Sequence, residues 1–284
     1  STIPVMIIFF CWVFKIETTN YYQILGVIFS LFGVVVIVTK ADLDKLLNLN
    51  LSTYNYLEIG SYLGGSLTPF IMDKKCKKIL SIDKRNLKLS DERGENYDYK
   101  NIAEKKMFLN FRKNGLKIDK IKTFNGKIKN LKKRGAKYDL VFIDGEHTDH
   151  NCYEDFLYSL NFIKKNSIII FHDSSVIYKA ISLILIYLNK EKIPYSFIKK
   201  SGSLMSAIFF GKYIKMKFKK IYGKIESTKK YLNSSRNFIL LNQANNKLKV
   251  KFRWSKFFKR KYPYKYVITE TKTKNIKDLD ENID

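Results

Sequence analysis

Five short apolar runs recur between residues 54 and 211, and this alternation constrains the fold more than any other feature. The runs are Tyr56–Ile59, Ile79–Ile82, Ile121–Phe124, Leu140–Ile143 and Ser167–Phe171, each too brief for a helix and bounded by Gly, Asp or Asn. Helical patterns lie between them: one after Ser66, one over Ile102–Asn114 stopped by Gly115, one over Lys127–Arg134 stopped by Gly135, and further ones over His150–Lys164 and Val176–Asn189. Strand and helix alternating in this way predict a parallel sheet covered on both faces. The pattern then breaks, because Tyr195–Lys199 and Leu204–Phe210 flank Lys200-Ser201-Gly202-Ser203, a hairpin connection. The expected fold class is α/β, with five parallel strands and a C-terminal antiparallel hairpin.

Outside this block the chain changes character. Of the 284 residues 45% are apolar, ample for a packed core and incompatible with a wholly disordered protein. Residues 1–40 carry only Lys15, Glu17 and Lys40 as charged side chains, although the whole chain is net +27. Within them, residues 21–39 run without one charge, long enough at about 1.5 Å per residue to cross a hydrocarbon core. Ile3 to Phe14 is equally apolar but too short to span unless its helix starts before Ser1, and an opening Ser suggests a fragment or a processed chain. A secretory signal would need a basic start and a small-residue cleavage site after Phe14, and neither is there. The expected organisation is a transmembrane segment at 1–40, a linker at 41–52, an enzyme-like domain at 53–212 and a basic, aromatic-rich extension at 213–284.

The positive charge is spread over Lys amid abundant Asn and Ile, as a biased genome would produce, so it speaks to solubility and association and nucleic acid is not assigned as a partner. Cys11, Cys76 and Cys152 lie far apart and form no Cys-x-x-Cys pair, which argues against a disulfide scaffold or a cysteine zinc site.

Three stretches carry chemistry. In the first, Leu57-Glu58-Ile59-Gly60-Ser61-Tyr62-Leu63-Gly64-Gly65-Ser66 joins a strand to a helix. Glycine there permits a tight turn and a close backbone approach to a ligand, and the helix start presents free N–H groups. In the second, Ile79-Leu80-Ser81-Ile82 ends in Asp83, where a carboxylate at a strand tip can accept both hydroxyls of a ribose. In the third, Tyr138 to His147 ends in Asp144-Gly145-Glu146-His147 and Ile168 to Ser174 contains His172-Asp173-Ser174. All three histidines, His147, His150 and His172, fall at or just beyond the carboxyl ends of neighbouring strands, where an open parallel sheet forms its ligand crevice.

The spacing Glu58-x-Gly60-x-x-x-Gly64-Gly65 departs from Gly-x-Gly-x-x-Gly and resembles motif I of class I S-adenosylmethionine-dependent methyltransferases. With the Asp-Gly-x-His and His-Asp strand ends, residues 54–211 look like a subgroup of that Rossmann-like class. The resemblance implies S-adenosylmethionine as cofactor, with Glu58, Gly60, Ser61, Gly64, Gly65, Asp83, Asn125, Gly126 and Asp144 around it. Sugar O-methyltransferases with similar strand ends hold a divalent metal, which implies Asp144 and Asp173 as ligands to Mg2+. Separately, Pro4-Val5, Trp12-Val13-Phe14, Glu17, Gln23-Ile24-Leu25-Gly26 and Leu31-Phe32-Gly33-Val34 resemble the closing helix pair of an EamA-type drug/metabolite transporter repeat.

Methyl transfer is an in-line displacement, so the enzyme must align the acceptor and remove its proton. For a hydroxyl acceptor either a histidine base or a metal would serve, with His147 or His172 as base and Asp144 as orienting group. The expected activity is methylation of a small-molecule, sugar or lipid-linked hydroxyl by a membrane-tethered domain facing the cytoplasm. The alternative is a transporter fragment with an appended, inactive methyltransferase-like domain, which would not bind S-adenosylmethionine.

Overall fold

The computed structural model describes residues 51–85, 88–99, 103–132, 137–215 and 224–257, with 247–257 in backbone only. Residues 1–50, which hold the expected transmembrane segment and transporter-like pair and most of the expected linker, lie outside the described residues. Among the described residues, no helix is long and apolar enough to cross a membrane. All the elements below belong to the unit Ser52–Asp284.

The central sheet is built from β1 (Tyr54–Ile59), β2 (Cys76–Asp83), β5 (Ile121–Asn125), β6 (Tyr138–Ile143), β7 (Ile163–Phe171), β8 (Tyr195–Lys199) and β9 (Ser206–Phe210), in the order β5-β2-β1-β6-β7-β9-β8. The first five run parallel; β9 is antiparallel to β7 and pairs with β8 as a hairpin. This is the α/β, Rossmann-like arrangement expected from the alternating runs. From β1 the chain winds outward through β2 to β5, then returns to place β6 on the other side of β1. Such a reversal opens a crevice at the strands' carboxyl ends.

Burial explains the strands. Tyr56, Leu57, Ile82, Val141, Ile168, Ile169, Ile170 and Phe171 are fully buried, and each large apolar side chain so removed from water contributes about 1.5–3 kcal/mol. Tyr56 stacks on Phe70 at 3.5 Å between ring centroids, which fixes α1 (Thr68–Met72) against β1. The remaining helices are α2 (Glu104–Lys113), α3 (Asp149–Ser159), α4 (Tyr178–Lys190) and α5 (Thr228–Phe257).

Several elements differ from the sequence reading. The helix expected over Lys127–Arg134 is a single 3-10 turn at Ile128–Asn130, with residues 133–136 outside the described part. Its lysines leave Ile128 as the buried side chain of that turn, too little apolar surface to hold a longer helix. The helix expected to Lys164 stops at Ser159, whose hydroxyl donates back to the Phe156 carbonyl, and β7 begins early at Ile163. A hairpin of β3 (Lys88–Ser90) and β4 (Asn96–Asp98) was not read at all, since three residues per strand, with Leu89 or Tyr97 between two polar ones, are too few to show a period. The extension from 213, which shows no lasting period in sequence, includes α5; its Tyr231, Ser235, Ile239 and Ala244 are buried.

Candidate active site

One cavity of about 460 Å³ opens at the carboxyl ends of the parallel strands. Its wall includes Gly60, Asp83, Gly126, Asp144, His147 and His172, so six of the residues singled out in sequence meet there. Glu58, Ser61, Gly64, Gly65, Asn125 and Asp173 are not on that wall. His150 is exposed on the first turn of α3.

The glycine turn is held from beneath. Glu58 is wholly buried and accepts from the Tyr56 hydroxyl at 2.6 Å and the Ser66 hydroxyl at 2.5 Å, pinning both ends of the turn. Burial pushes its carboxyl up to about 8. Ser61, also buried, accepts from Ser81 on the neighbouring strand at 2.7 Å. Gly60 sits at φ +91, and a Cβ there would lie 2.0 Å from the Asp144 carbonyl oxygen, so only glycine lets β1 and β6 end side by side. Gly64, at φ +81, has the Phe111 ring where a Cβ would be, which makes it a packing position.

Asp83 extends from β2 and accepts from the Tyr62 N–H at 2.6 Å, while the Gly126 N–H donates to its carbonyl at 3.1 Å. Burial raises its carboxyl pKa, against the opposing pull of Arg85, whose Nη2 is 4.0 Å away. Arg85 is itself buried on the cavity wall, and its Nε and Nη1 have no hydrogen-bond partner among the described residues.

Four groups cluster beyond β6 and β7. His147 Nε2 lies 3.0 Å from Asp144 Oδ1 and its Nδ1 lies 3.4 Å from Asp173 Oδ2. His172 Nδ1 is also 3.0 Å from Asp144 Oδ1 but is out of line for a hydrogen bond. Burial opposes charge on both groups, yet the pair overrides it: the imidazoles hold Asp144 below the usual carboxylate range, and Asp144 and Asp173 lift His172 to about 9. With no metal bound, these carboxylates favour the protonated form of His172 at neutral pH.

Asp144, His147 and His172 offer three ligand atoms within 4.8 Å of one another. One carboxylate with two imidazoles suits a borderline ion such as Zn2+. It does not suit Mg2+, which prefers oxygen donors, and the expected second oxygen ligand, Asp173, faces His147 and the Arg93 guanidinium at 3.9 Å. The Asp144 and Asp173 pair is accordingly not an Mg2+ site in this arrangement.

The β3–β4 hairpin supplies residues that sequence reasoning missed. Arg93 at its turn donates to Asp91 at 2.7 Å and to the Tyr97 hydroxyl at 2.8 Å. The Glu92 N–H donates to the His147 carbonyl at 3.2 Å, and Glu92 accepts from the Asp149 N–H at the start of α3. Tyr99 meets Tyr62 edge-on at 5.4 Å and lies 6.1 Å from Tyr97. The hairpin is tied down by α5, whose Gln243 and Asn246 donate to the Glu92 and Arg93 carbonyls at 2.9 and 2.6 Å. Near the start of α5, the Tyr231 hydroxyl donates to the Ser174 carbonyl, beside Asp173. The buried Lys199 donates to the Ser174 hydroxyl and to the Ser203 carbonyl, fixing the same loop.

Residues 57–174 match the model of a methyltransferase domain family. No curated protein matches the chain in sequence. Among solved structures, the chain is similar to the O-methyltransferase TomG from Streptomyces achromogenes in complex with SAM, at 12% identity over 60% of this chain and 79% of that one, with a TM-score of 0.45. It is also similar to an O-methyltransferase from Bacillus cereus in complex with SAH, at 15% identity over 60% and 80% with a TM-score of 0.43. Cofactor-bound Rv0187 from MTB gives 12% identity over 68% and 99% with a TM-score of 0.44.

Proposed function

We infer from the methyltransferase domain at residues 57–174 that the chain transfers a methyl group from S-adenosylmethionine to a hydroxyl of a small-molecule or saccharide acceptor. The observation that carries this reading is the convergence of Gly60, Asp83, Gly126, Asp144 and His147 on one cavity of about 460 Å³, a volume suited to a cofactor-sized ligand. The unpartnered Nε and Nη1 of Arg85 support it further, since buried donors on a cavity wall are stabilised by a polar ligand. In this reading Gly60 lets the turn approach the methionine part, Asp83 accepts the ribose hydroxyls, and Gly126 borders the adenine.

The cofactor supplies an already activated methyl group, leaving the protein to orient the acceptor and take its proton. In this reading Nε2 donates to Asp144 at 3.0 Å, and Nδ1 receives the proton of the acceptor hydroxyl, which Asp173, 3.4 Å from Nδ1, then stabilises on the ring. His172 is not given this role, because it already carries a proton at neutral pH. Its charge balances Asp144. Tyr62, Tyr97 and Tyr99 offer aromatic faces of the kind that pack on a sugar or a phenolic ring.

The uncharged run at 21–39 and the Lys-rich sequence after it support a membrane tether with this domain on the cytoplasmic side, within reach of a lipid-linked acceptor. The test is incubation with methyl-labelled S-adenosylmethionine and a panel of phenolic and sugar hydroxyls. Label should pass to one class, and His147→Ala should slow transfer by about 100- to 10,000-fold. Undiminished transfer by that variant contradicts the assignment of the base.

A further inference from the structure

The long helix α5 has an outer side that the methyl-transfer reading leaves without a task. From Thr228 to Phe257 it holds eight Lys or Arg and not one Asp or Glu. Its inner side is used, because Tyr231, Ser235, Ile239 and Ala244 are buried. On the outer side Phe238 and Leu241, about one helical turn apart, stand 40% and 42% exposed. Lys229 and Lys230 are exposed at the start of the same helix.

Two anchors fix where this outer side lies. At one end the Tyr231 hydroxyl donates to the Ser174 carbonyl, in the loop that carries His172 and Asp173. At the other, Gln243 and Asn246 donate to the Glu92 and Arg93 carbonyls at the turn of the β3–β4 hairpin, and the Glu92 N–H in turn meets the His147 carbonyl. His147 and His172 both belong to the cavity wall. The helix therefore lies along the rim of the cavity, and whatever covers Phe238 and Leu241 sits beside its entrance.

Charge and side-chain chemistry select the occupant. A helix without a carboxylate repels a second copy of itself and attracts a surface of negative charge. An anionic bilayer takes Leu and Phe side chains into the boundary of its acyl chains while lysines meet the headgroup phosphates. A nucleic acid offers Leu241 nothing comparable, since Leu has neither a stacking face for a base nor a donor for a phosphate. The lysine excess of the whole chain does not account for the pattern, because a bias that supplies cations does not bring apolar side chains to the surface between them.

We propose that the outer side of α5 docks the folded domain on an anionic membrane surface, with Phe238 and Leu241 entering the headgroup region and the cavity opening along that surface. The inference needs neither the uncharged run at 21–39 nor the methyl-transfer activity. It adds to them a means by which the cavity meets an acceptor that resides in the bilayer.

The experiment places an environment-sensitive fluorophore at Leu241→Cys in the full chain, with Cys11→Ser so that a single site labels, Cys76 and Cys152 being buried. Vesicles of phosphatidylcholine, alone or mixed with phosphatidylglycerol, are added, with a spin-labelled lipid as quencher. The label should shift to the blue and be quenched with the anionic mixture and not with phosphatidylcholine alone. A label at Lys113→Cys, exposed at the end of α2, should respond to neither. Lys229→Gln with Lys230→Gln should lower the ratio of docked to free α5 about 30-fold, the effect of two lysines beside an anionic surface. That ratio compares two states of the helix, so it reads the same whether or not another part of the chain enters the bilayer. An unshifted label in the anionic mixture, equal quenching at positions 113 and 241, or a label already shielded before vesicles are added, by a second copy or another segment of this chain, overturns the proposal. A shift produced by RNA and not by vesicles overturns it as well. None of these readings involves S-adenosylmethionine, so the methyltransferase assignment stands or falls separately.

Discussion

The two halves of the cavity are built in different ways. On the side of β1 and β2 the site is made of backbone and contacts between consecutive elements: Glu58 reaches Tyr56 and Ser66 within its own strand and turn, and Asp83 at the end of β2 reaches the Tyr62 N–H in the loop after β1. On the side of β6 and β7 the clustered histidines and aspartates are held by residues distant in the chain. Glu92 binds the His147 carbonyl, Arg93 approaches Asp173, and Gln243, Asn246 and Tyr231 of α5 brace them from behind. A nucleoside pocket can be written in one motif, whereas an acceptor pocket depends on which distant segments are brought over it.

This contrast can be broken most severely at Gly60. Gly60→Val should abolish cofactor binding in calorimetry, because its Cβ would have to displace the Asp144 backbone and with it the junction of both halves. Retained affinity would mean that the turn does not approach the ligand. His147→Ala should separate the halves instead, leaving S-adenosylhomocysteine affinity near wild type while lowering kcat as stated above. Gly64→Ala should act on stability alone, costing about 2–4 kcal/mol in urea denaturation through a strained positive φ and a clash with Phe111.

The pH dependence of stability probes the β6–β7 side. His172 is raised from 6.5 to about 9 in the folded protein, so the stability it contributes is fully present below about 6.5 and is lost as pH rises through about 9. His172→Asn should thus be least stable relative to wild type in mild acid, with the gap narrowing towards alkaline pH in parallel urea titrations. A gap independent of pH would show that packing and not charge is involved. The smallest effect is expected from Gln243→Ala with Asn246→Ala, about 1 kcal/mol for each lost hydrogen bond. Its signature is a raised acceptor KM with cofactor affinity unchanged, since these amides hold the hairpin and touch neither Gly60 nor Asp83.

The same division decides what was legible in sequence. The inner parallel strands were visible because their apolar runs are buried on both faces, and Gly60, Asp83, Asp144, His147 and His172 were visible because strand tips concentrate chemistry. The β3–β4 hairpin was not, because three residues per strand are too few for their alternation to stand out, so Asp91, Arg93, Tyr97 and Tyr99 went unread. Arg85 stood two residues beyond Asp83 but looked like one more surface cation in a basic chain. The expected Mg2+ finds no support in the geometry, because Asp144 and Asp173 each face an imidazole and not a set of oxygen donors.

The central claim is that one nucleoside pocket joins the glycine turn to Asp83. Titrating S-adenosylmethionine into the purified chain tests it most directly, with Asp83→Ala beside the wild type. Saturable binding that weakens by about tenfold or more in the variant is the predicted result. No binding by the wild type, or binding that Asp83→Ala leaves untouched, would contradict it.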